Sequence, residues 1–166
     1  MERPTLTVYC GLPGVGKSAA SAYTAANTSA ERYRSDEIRK ELFPDPRYTT
    51  EETLATYEEL LERARTDLET GSSVVLDATF RTRGLRDRAD ELAREAGAHS
   101  LFVQVSCEET VVKQRLAARE GDVSDADVEV YEHVRDSFES LERDHVVVDN
   151  SDSLEETYRQ IDRRIL

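Results

Sequence analysis

The sequence predicts an α/β fold: one domain, a five-stranded parallel sheet, and helices on both of its faces. Three observations predict it. Strand-like and helix-like runs alternate along the whole chain. Three of the strand-like runs are nearly continuous apolar stretches, as strands covered on both faces are. A glycine-rich loop joins the first strand to the first helix, and in such sheets ligands sit at the carboxyl ends of the strands.

TLTVYC (5–10) opens the sheet, and a small-residue helix over 17–27 follows its loop. ERYRS (31–35) is the second strand, after which Asp36 can cap a short helix, 36–42, that begins EIRKEL. Thr49 or Thr50 can cap the helix 51–70, and Gly71 stands where it should stop. That helix sets Leu54, Tyr57, Leu61 and Leu68 on one stripe beneath a solvated acidic face. SSVVLDA (72–78) is the third strand and 83–97 the next helix, which stops at Gly97. SLFVQVS (100–106) is the fourth strand, with helices over 108–119 and 126–142 behind it. HVVVD (145–149) completes the five, and a helix over 153–165 closes the chain. No repeat, low-complexity tract or linker interrupts the 166 residues, which suit one compact domain.

Apolar residues make up 38 % of the chain, enough for a core. No apolar stretch is long enough for a signal peptide or a membrane span, so a cytoplasmic protein without membrane contact is expected. Cys10 and Cys107 lack a second ligand cluster and read as buried free thiols, and His99, His133 and His145 as surface or structural residues. Thirty-five acids against 22 lysines and arginines leave a formal net charge of −13. Only Lys17, Lys40 and Lys113 are lysines. Such a charge disfavours a nonspecific grip on nucleic acid and points to a halophilic-like surface that holds water through carboxylates.

The chemistry gathers at the strand ends. Residues Gly11, Leu12, Pro13, Gly14, Val15, Gly16, Lys17 and Ser18 match G-x-x-x-x-G-K-[ST] in the required strand–loop–helix context. Glycines let backbone N–H groups turn toward phosphates at a helix N-terminus. Lys17 would reach the β- and γ-phosphates of ATP and the Ser18 hydroxyl would bind Mg²⁺. Asp36, at the exit of the second strand, could accept a proton from an attacking hydroxyl, and Arg39 one turn on could steady the moving phosphoryl group. An N-cap for Asp36 and a surface place for Arg39 are the plain alternatives. Asp77 ends VVLD, where burial without a partner is costly, which favours a Mg²⁺ role. Thr79, Arg81 and Arg83 share the following loop and could face the acceptor, with Arg81 and Arg83 as solvated residues at a helix start the equal alternative. Arg115 and Arg119, at i and i+4, could fold over the triphosphate from a lid over about 115–127, or lie on a salt-bridged surface helix.

GLPGVGKS, RSDEIRKELF, VVLDATF, RLAAREGDVSDAD and HVVVDNS follow in an order that resembles a family of small P-loop kinases. These are grouped with the kinase domain of polynucleotide 5′-kinase and, more distantly, with gluconate kinases, chloramphenicol phosphotransferases and zeta toxins. The resemblance implies strand order 2-3-1-4-5, Asp36 as general base, Arg39 on the scissile phosphate and Arg115 and Arg119 as lid arginines. It also places the adenine pocket near the lid helix and the loop after the last strand, where Asn150 and Ser151 stand. Relatives often continue the loop with Ser-Thr, whereas Ala19 follows Ser18 here and one possible α-phosphate hydroxyl is missing.

Together these residues point to an ATP- and Mg²⁺-dependent phosphotransferase acting on a hydroxyl of a small molecule or a nucleic-acid 5′ end. The acidic helix 51–70, with Tyr48 and Tyr57, is expected to shape the acceptor side. A nucleoside or nucleotide kinase is one alternative, and an ATPase or switch module working on a protein partner is another. If the acidic surface is a high-salt adaptation, the unfolding midpoint rises from near-zero to molar KCl. Maximal stability at low salt in such a melt removes that reading.

Overall fold

In the computed structural model the backbone is described for residues 2–118 and 125–166, and the side chains for 2–118 and 128–166. Strands β1 (Thr5–Cys10), β2 (Glu31–Arg34), β3 (Val74–Asp77), β4 (His99–Ser106) and β5 (Val146–Asp149) form one sheet. Every pairing is parallel and the order is β2-β3-β1-β4-β5, as the resemblance implied. The helices are α1 (Lys17–Thr28), α2 (Ser35–Leu42), α3 (Thr50–Glu69), α4 (Arg83–Glu95), α5 (Glu109–Ala118), α6 (Asp125–Ser137) and α7 (Leu154–Arg164).

The two-residue period of the strands sorts the core into two layers. Leu6 and Val8 of β1 pack with Leu76 and Phe102 against α3 (Leu60, Leu61, Ala64, Leu68) and α4 (Ala89, Leu92, Ala93). Tyr9, Val75, Val103, Val105 and Val148 face the other way, toward Ala20 and Ala25 of α1, Val112 and Leu116 of α5 and Ile161 of α7. β1 lies at the centre, with Val8 in register with Leu76 on one side and Phe102 on the other. Central strands so covered must be apolar on both faces, which is why their sequences read as runs.

Local chemistry sets the element ends. The Thr49 side chain accepts from the Glu52 amide and caps α3. Gly71 (φ 90°) and Gly97 (φ 73°) take the left-handed turns just beyond α3 and α4. Four sequence expectations are corrected. Helix α2 begins at Ser35, with Arg34 at the cap position and no side-chain cap bond, so Asp36 lies in the first turn and is not the cap. Leu54 is 49 % exposed and outside the core, whereas Tyr57, Leu61 and Leu68 are buried. The helix expected to reach 142 ends at Ser137, because the Glu139 amide donates to the Arg81 carbonyl (2.9 Å) and not back to Arg135. Cys10 is buried, its thiol pushed up to about 12 chiefly by desolvation, but Cys107 is only half-buried. No helix among the described residues is long and apolar enough to cross a membrane.

Leu76 is fully buried between β1 and α3. Leu76→Ala is expected to cost about 2–5 kcal/mol in urea unfolding, the usual range for a cavity at such a site.

Candidate active site

The phosphate loop runs from the end of β1 to the first turn of α1. Three of its glycines have positive φ: Gly11 at 154°, Gly14 at 82° and Gly16 at 99°. Space as well as φ constrains two of them. A Cβ at Gly16 would stand 2.0 Å from the Asn150 side-chain nitrogen, and one at Gly11 2.7 Å from the Val105 carbonyl. The Gly11 amide donates to the Thr79 carbonyl (3.2 Å), fastening the loop to the end of β3. Asn150 braces it from below, with Nδ2 on the Val15 carbonyl (2.8 Å) and Oδ1 accepting from the Thr157 hydroxyl (2.5 Å). Gly14 lies against Val112 and Leu116 of α5.

Within the loop Lys17 Nζ donates to the carbonyls of Gly11 (2.9 Å) and Leu12 (3.0 Å). Desolvation pulls its ammonium below the ordinary lysine value, and the carboxylates of Asp77 and then Asp36 pull it back. The same electrostatic neighbourhood therefore holds the loop lysine and both predicted acids. Ser18 is exposed at the start of α1 and Ala19 half-buried beside it.

Asp77 is buried and has partners after all. Its Oδ2 accepts from the Ser21 hydroxyl (2.7 Å) and lies 3.7 Å from Arg34 Nε. Burial alone thus does not demand a metal there, which corrects the sequence argument. Both contacts fall on Oδ2, so Oδ1 has no protein hydrogen bond among the described residues. A hydroxyl on Ser18 and this free carboxylate oxygen are hard donors that fit Mg²⁺, an ion that takes most of its ligands from nucleotide and water. No cluster of three His, Cys, Asp or Glu side chains exists among the described residues.

On the far side of the loop Asp36 is exposed and makes no ion pair among the described residues. Arg39, one turn on, reaches across to α3. It donates to Thr53 Oγ1 (3.0 Å), lies 3.5 Å from Glu52 and sits over the Tyr48 ring at 4.9 Å. Glu52 is buried because its carboxylate also accepts the Arg47 and Tyr48 amides, which holds the α2–α3 loop. Tyr57 is buried, and its hydroxyl accepts the Phe80 amide (3.0 Å). Arg81 and Arg83 follow, Arg83 exposed at the start of α4 and paired with Glu142 (3.0 Å).

Two expectations meet different geometry. Arg115 donates to the Asp152 carbonyl (3.0 Å) and the Cys107 sulfur (3.5 Å), bracing the loop after β5 and not spanning the phosphate loop. Asn150 is 3 % exposed with its side chain spent on Val15 and Thr157, so it supports the loop from below. Ser151 accepts the Glu108 amide (2.9 Å). Arg119 and most of the expected lid lie outside the described residues. Sequence reasoning missed Ser21, Arg34 and Arg86. Ser21 could have been found as the residue one turn after Ser18, but nothing in the sequence separates Arg86 from the other arginines of α4.

The family described as an AAA domain matches residues 6–141. Uncharacterized proteins of Mycobacterium tuberculosis and Mycobacterium bovis are 32 % identical over 139 residues, 75 % of this chain. The chain spans only 28 % of the length of these curated relatives. A gluconokinase from Sinorhizobium meliloti superposes with a TM-score of 0.74 at 23 % identity, covering 96 % of this chain and 90 % of its own. A sugar kinase from a Janibacter species gives 0.72 at 20 % identity over 98 % and 92 %. The Mycobacterium tuberculosis APS kinase, in complex with AMPPNP and APS, gives 0.75 at 17 % over 98 % of both chains. At these identities the structures share the fold.

Removing the brace leaves the Val15 carbonyl without its partner. Asn150→Ala is expected to weaken AMPPNP binding about tenfold, a loss of ~1.4 kcal/mol. Gly16→Ala, with its Cβ on the Asn150 amide, is expected to abolish binding. Calorimetric titration checks both, and an Asn150 variant of unchanged affinity would mean that the loop holds its own shape.

Proposed function

The chain belongs to the AAA domain family, and from that premise we propose that it is an ATP- and Mg²⁺-dependent phosphotransferase with a hydroxyl acceptor, borne by a small molecule or a nucleic-acid 5′ end. A closer kinship with polynucleotide 5′-kinases is part of the proposal and rests on the motif resemblance. The kinases that share the fold support transfer as the outcome. The observation that carries the reading is Asp36: an exposed carboxylate without an ion-pair partner among the described residues, whose field reaches the phosphate-loop lysine.

The loop amides and the N-terminus of α1 hold the triphosphate. Lys17 leaves the Gly11 and Leu12 carbonyls for the β- and γ-phosphate oxygens, exchanging two neutral acceptors for charged ones. Asp36 accepts the proton of the acceptor hydroxyl as its oxygen attacks the γ-phosphorus. A new oxygen–phosphorus bond forms, the bond to the β-phosphate oxygen breaks, and ADP leaves. Arg39, held by Thr53 and Glu52, orients the moving group from the α2 side. Arg119 is the remaining candidate for a lid arginine. Ser18 and Asp77 would hold Mg²⁺, which neutralises charge on the phosphates when bound. Nucleic acid as acceptor is disfavoured by the charge of −13.

Asp36→Asn is expected to lower transfer by at least about a hundredfold while ATP affinity is kept, the usual scale for a lost general base. Lys17→Ala is expected to weaken both. A γ-³²P transfer screen over 5′-hydroxyl oligonucleotides, nucleosides, sugars and aminoglycosides supplies the assay. Full transfer by the Asp36 variant removes the base, and hydrolysis without any acceptor points to a switch.

A further inference from the structure

The turn after β3 is held more firmly than a surface loop requires, and the side chain at its tip has no carboxylate partner among the described side chains. Phe80 is fully buried with φ 46°, a left-handed conformation that a bulky residue adopts only when its surroundings impose it. Its amide donates to the Tyr57 hydroxyl (3.0 Å) and its carbonyl accepts from Arg86 Nε (2.8 Å). The next carbonyl, that of Arg81, accepts from Arg86 Nη2 (3.1 Å) and from the Glu139 amide (2.9 Å). Arg86 itself is 1 % exposed and spends its guanidinium on backbone carbonyls. Four bonds thus fix the backbone on which Arg81 stands.

The Arg81 head is not used in the same way. It is half-buried, its described contact is the Ser137 hydroxyl at a long 3.4 Å, and no carboxylate lies within 4.0 Å of it among the described side chains. It stands on the turn after β3, two residues past the Thr79 carbonyl that holds Gly11 of the phosphate loop. The Tyr57 hydroxyl feels the positive charge of both Arg81 and Arg39, and Arg39 is anchored on Thr53, one turn before Tyr57 on α3. Arg34 completes the rim at the end of β2, the strand beside β3. Nearby acids are committed elsewhere: Glu52 to the Arg47 and Tyr48 amides and Arg39, Glu139 to the Arg83 amide, Glu37 to Arg34. Asp77 is engaged by Ser21 and Arg34, and Asp36, without an ion-pair partner among the described residues, is the acid the reaction uses. Arg81 is thus the guanidinium of this rim without a carboxylate partner among the described side chains, whereas Arg34 and Arg39 are paired.

We propose that the acceptor carries an anionic group, a carboxylate or a phosphate, beside the hydroxyl it offers, and that Arg81 is the specificity-determining residue that binds it. The proposal rests on the phosphotransferase reading for the role of the rim. A planar guanidinium on a fixed backbone binds two oxygens of such a group side by side and so orients the neighbouring hydroxyl toward Asp36.

Matched acceptors test it. Transfer from ATP is compared for glucose against gluconate and for adenosine against adenosine 3′-monophosphate, which separates carboxylate from phosphate. The anionic member of at least one pair is expected to be favoured tenfold or more in kcat/KM. Arg81→Ala is expected to raise KM for that acceptor tenfold or more with KM for ATP unchanged, and Arg81→Lys to recover part of the loss. Equal use of neutral and anionic members, or an unchanged acceptor KM in Arg81→Ala, overturns the proposal. If no member is phosphorylated, sulfate is titrated into protein saturated with AMPPNP and Mg²⁺. Sulfate binding that Arg81→Ala abolishes keeps the anion site while the transfer reading falls, and no sulfate binding, or binding that survives Arg81→Ala, overturns the site.

Discussion

Beneath the phosphate loop, the Asn150 amide nitrogen donates to the Val15 carbonyl while its oxygen takes the Thr157 hydroxyl, and Gly16 passes directly over it. Any side chain at residue 16 would collide with that amide, so the glycine and the asparagine specify one another. The brace ties the phosphate loop to the end of β5 and the start of α7, two elements 134 residues away from Gly16 in sequence. Together with the Gly11–Thr79 bond, it fixes both flanks of the loop before any nucleotide arrives. A loop so held presents its amides without further ordering, and binding a phosphate then costs less conformational entropy.

The second rigid point is the turn after β3. A left-handed non-glycine residue costs roughly 1–2 kcal/mol, and a buried guanidinium adds a desolvation cost of its own. Tyr57 and Arg86 offset these by satisfying the backbone of Phe80 and Arg81, and Phe138 lies 5.0 Å beneath the Arg86 guanidinium. The turn links the two halves of the candidate site, because the Thr79 carbonyl that precedes it holds the first amide of the phosphate loop. The phosphate loop and the turn that carries Arg81 therefore share one backbone segment.

Charge is divided between surface and site. Exposed ion pairs, such as Arg83–Glu142 and Arg159–Glu155, contribute on the order of 0–1 kcal/mol each. Lys17, Arg34, Arg39 and Arg81 instead lie at or beyond the carboxyl ends of β1, β2 and β3, where Asp36 and Asp77 stand among them.

The sequence by itself determined what depends on short-range pattern. Alternating runs specified five strands and their helices, since burial on both faces forces apolar residues at every strand position. The phosphate loop was legible because its glycines, lysine and serine must be neighbours in the chain. Asp36 and Arg39 were legible as a pair for the same reason, one helical turn apart. Only the tertiary structure decided which distant groups meet: Asn150 under Gly16, Ser21 and Arg34 on Asp77, and Arg86 on the carbonyls of Glu139 and Ser140. It also turned Arg115 toward the loop after β5 and ended the long helix at Ser137. Such partners lie 37 to 134 residues apart, and no local periodicity records them; the packing of helices on the sheet brings them together.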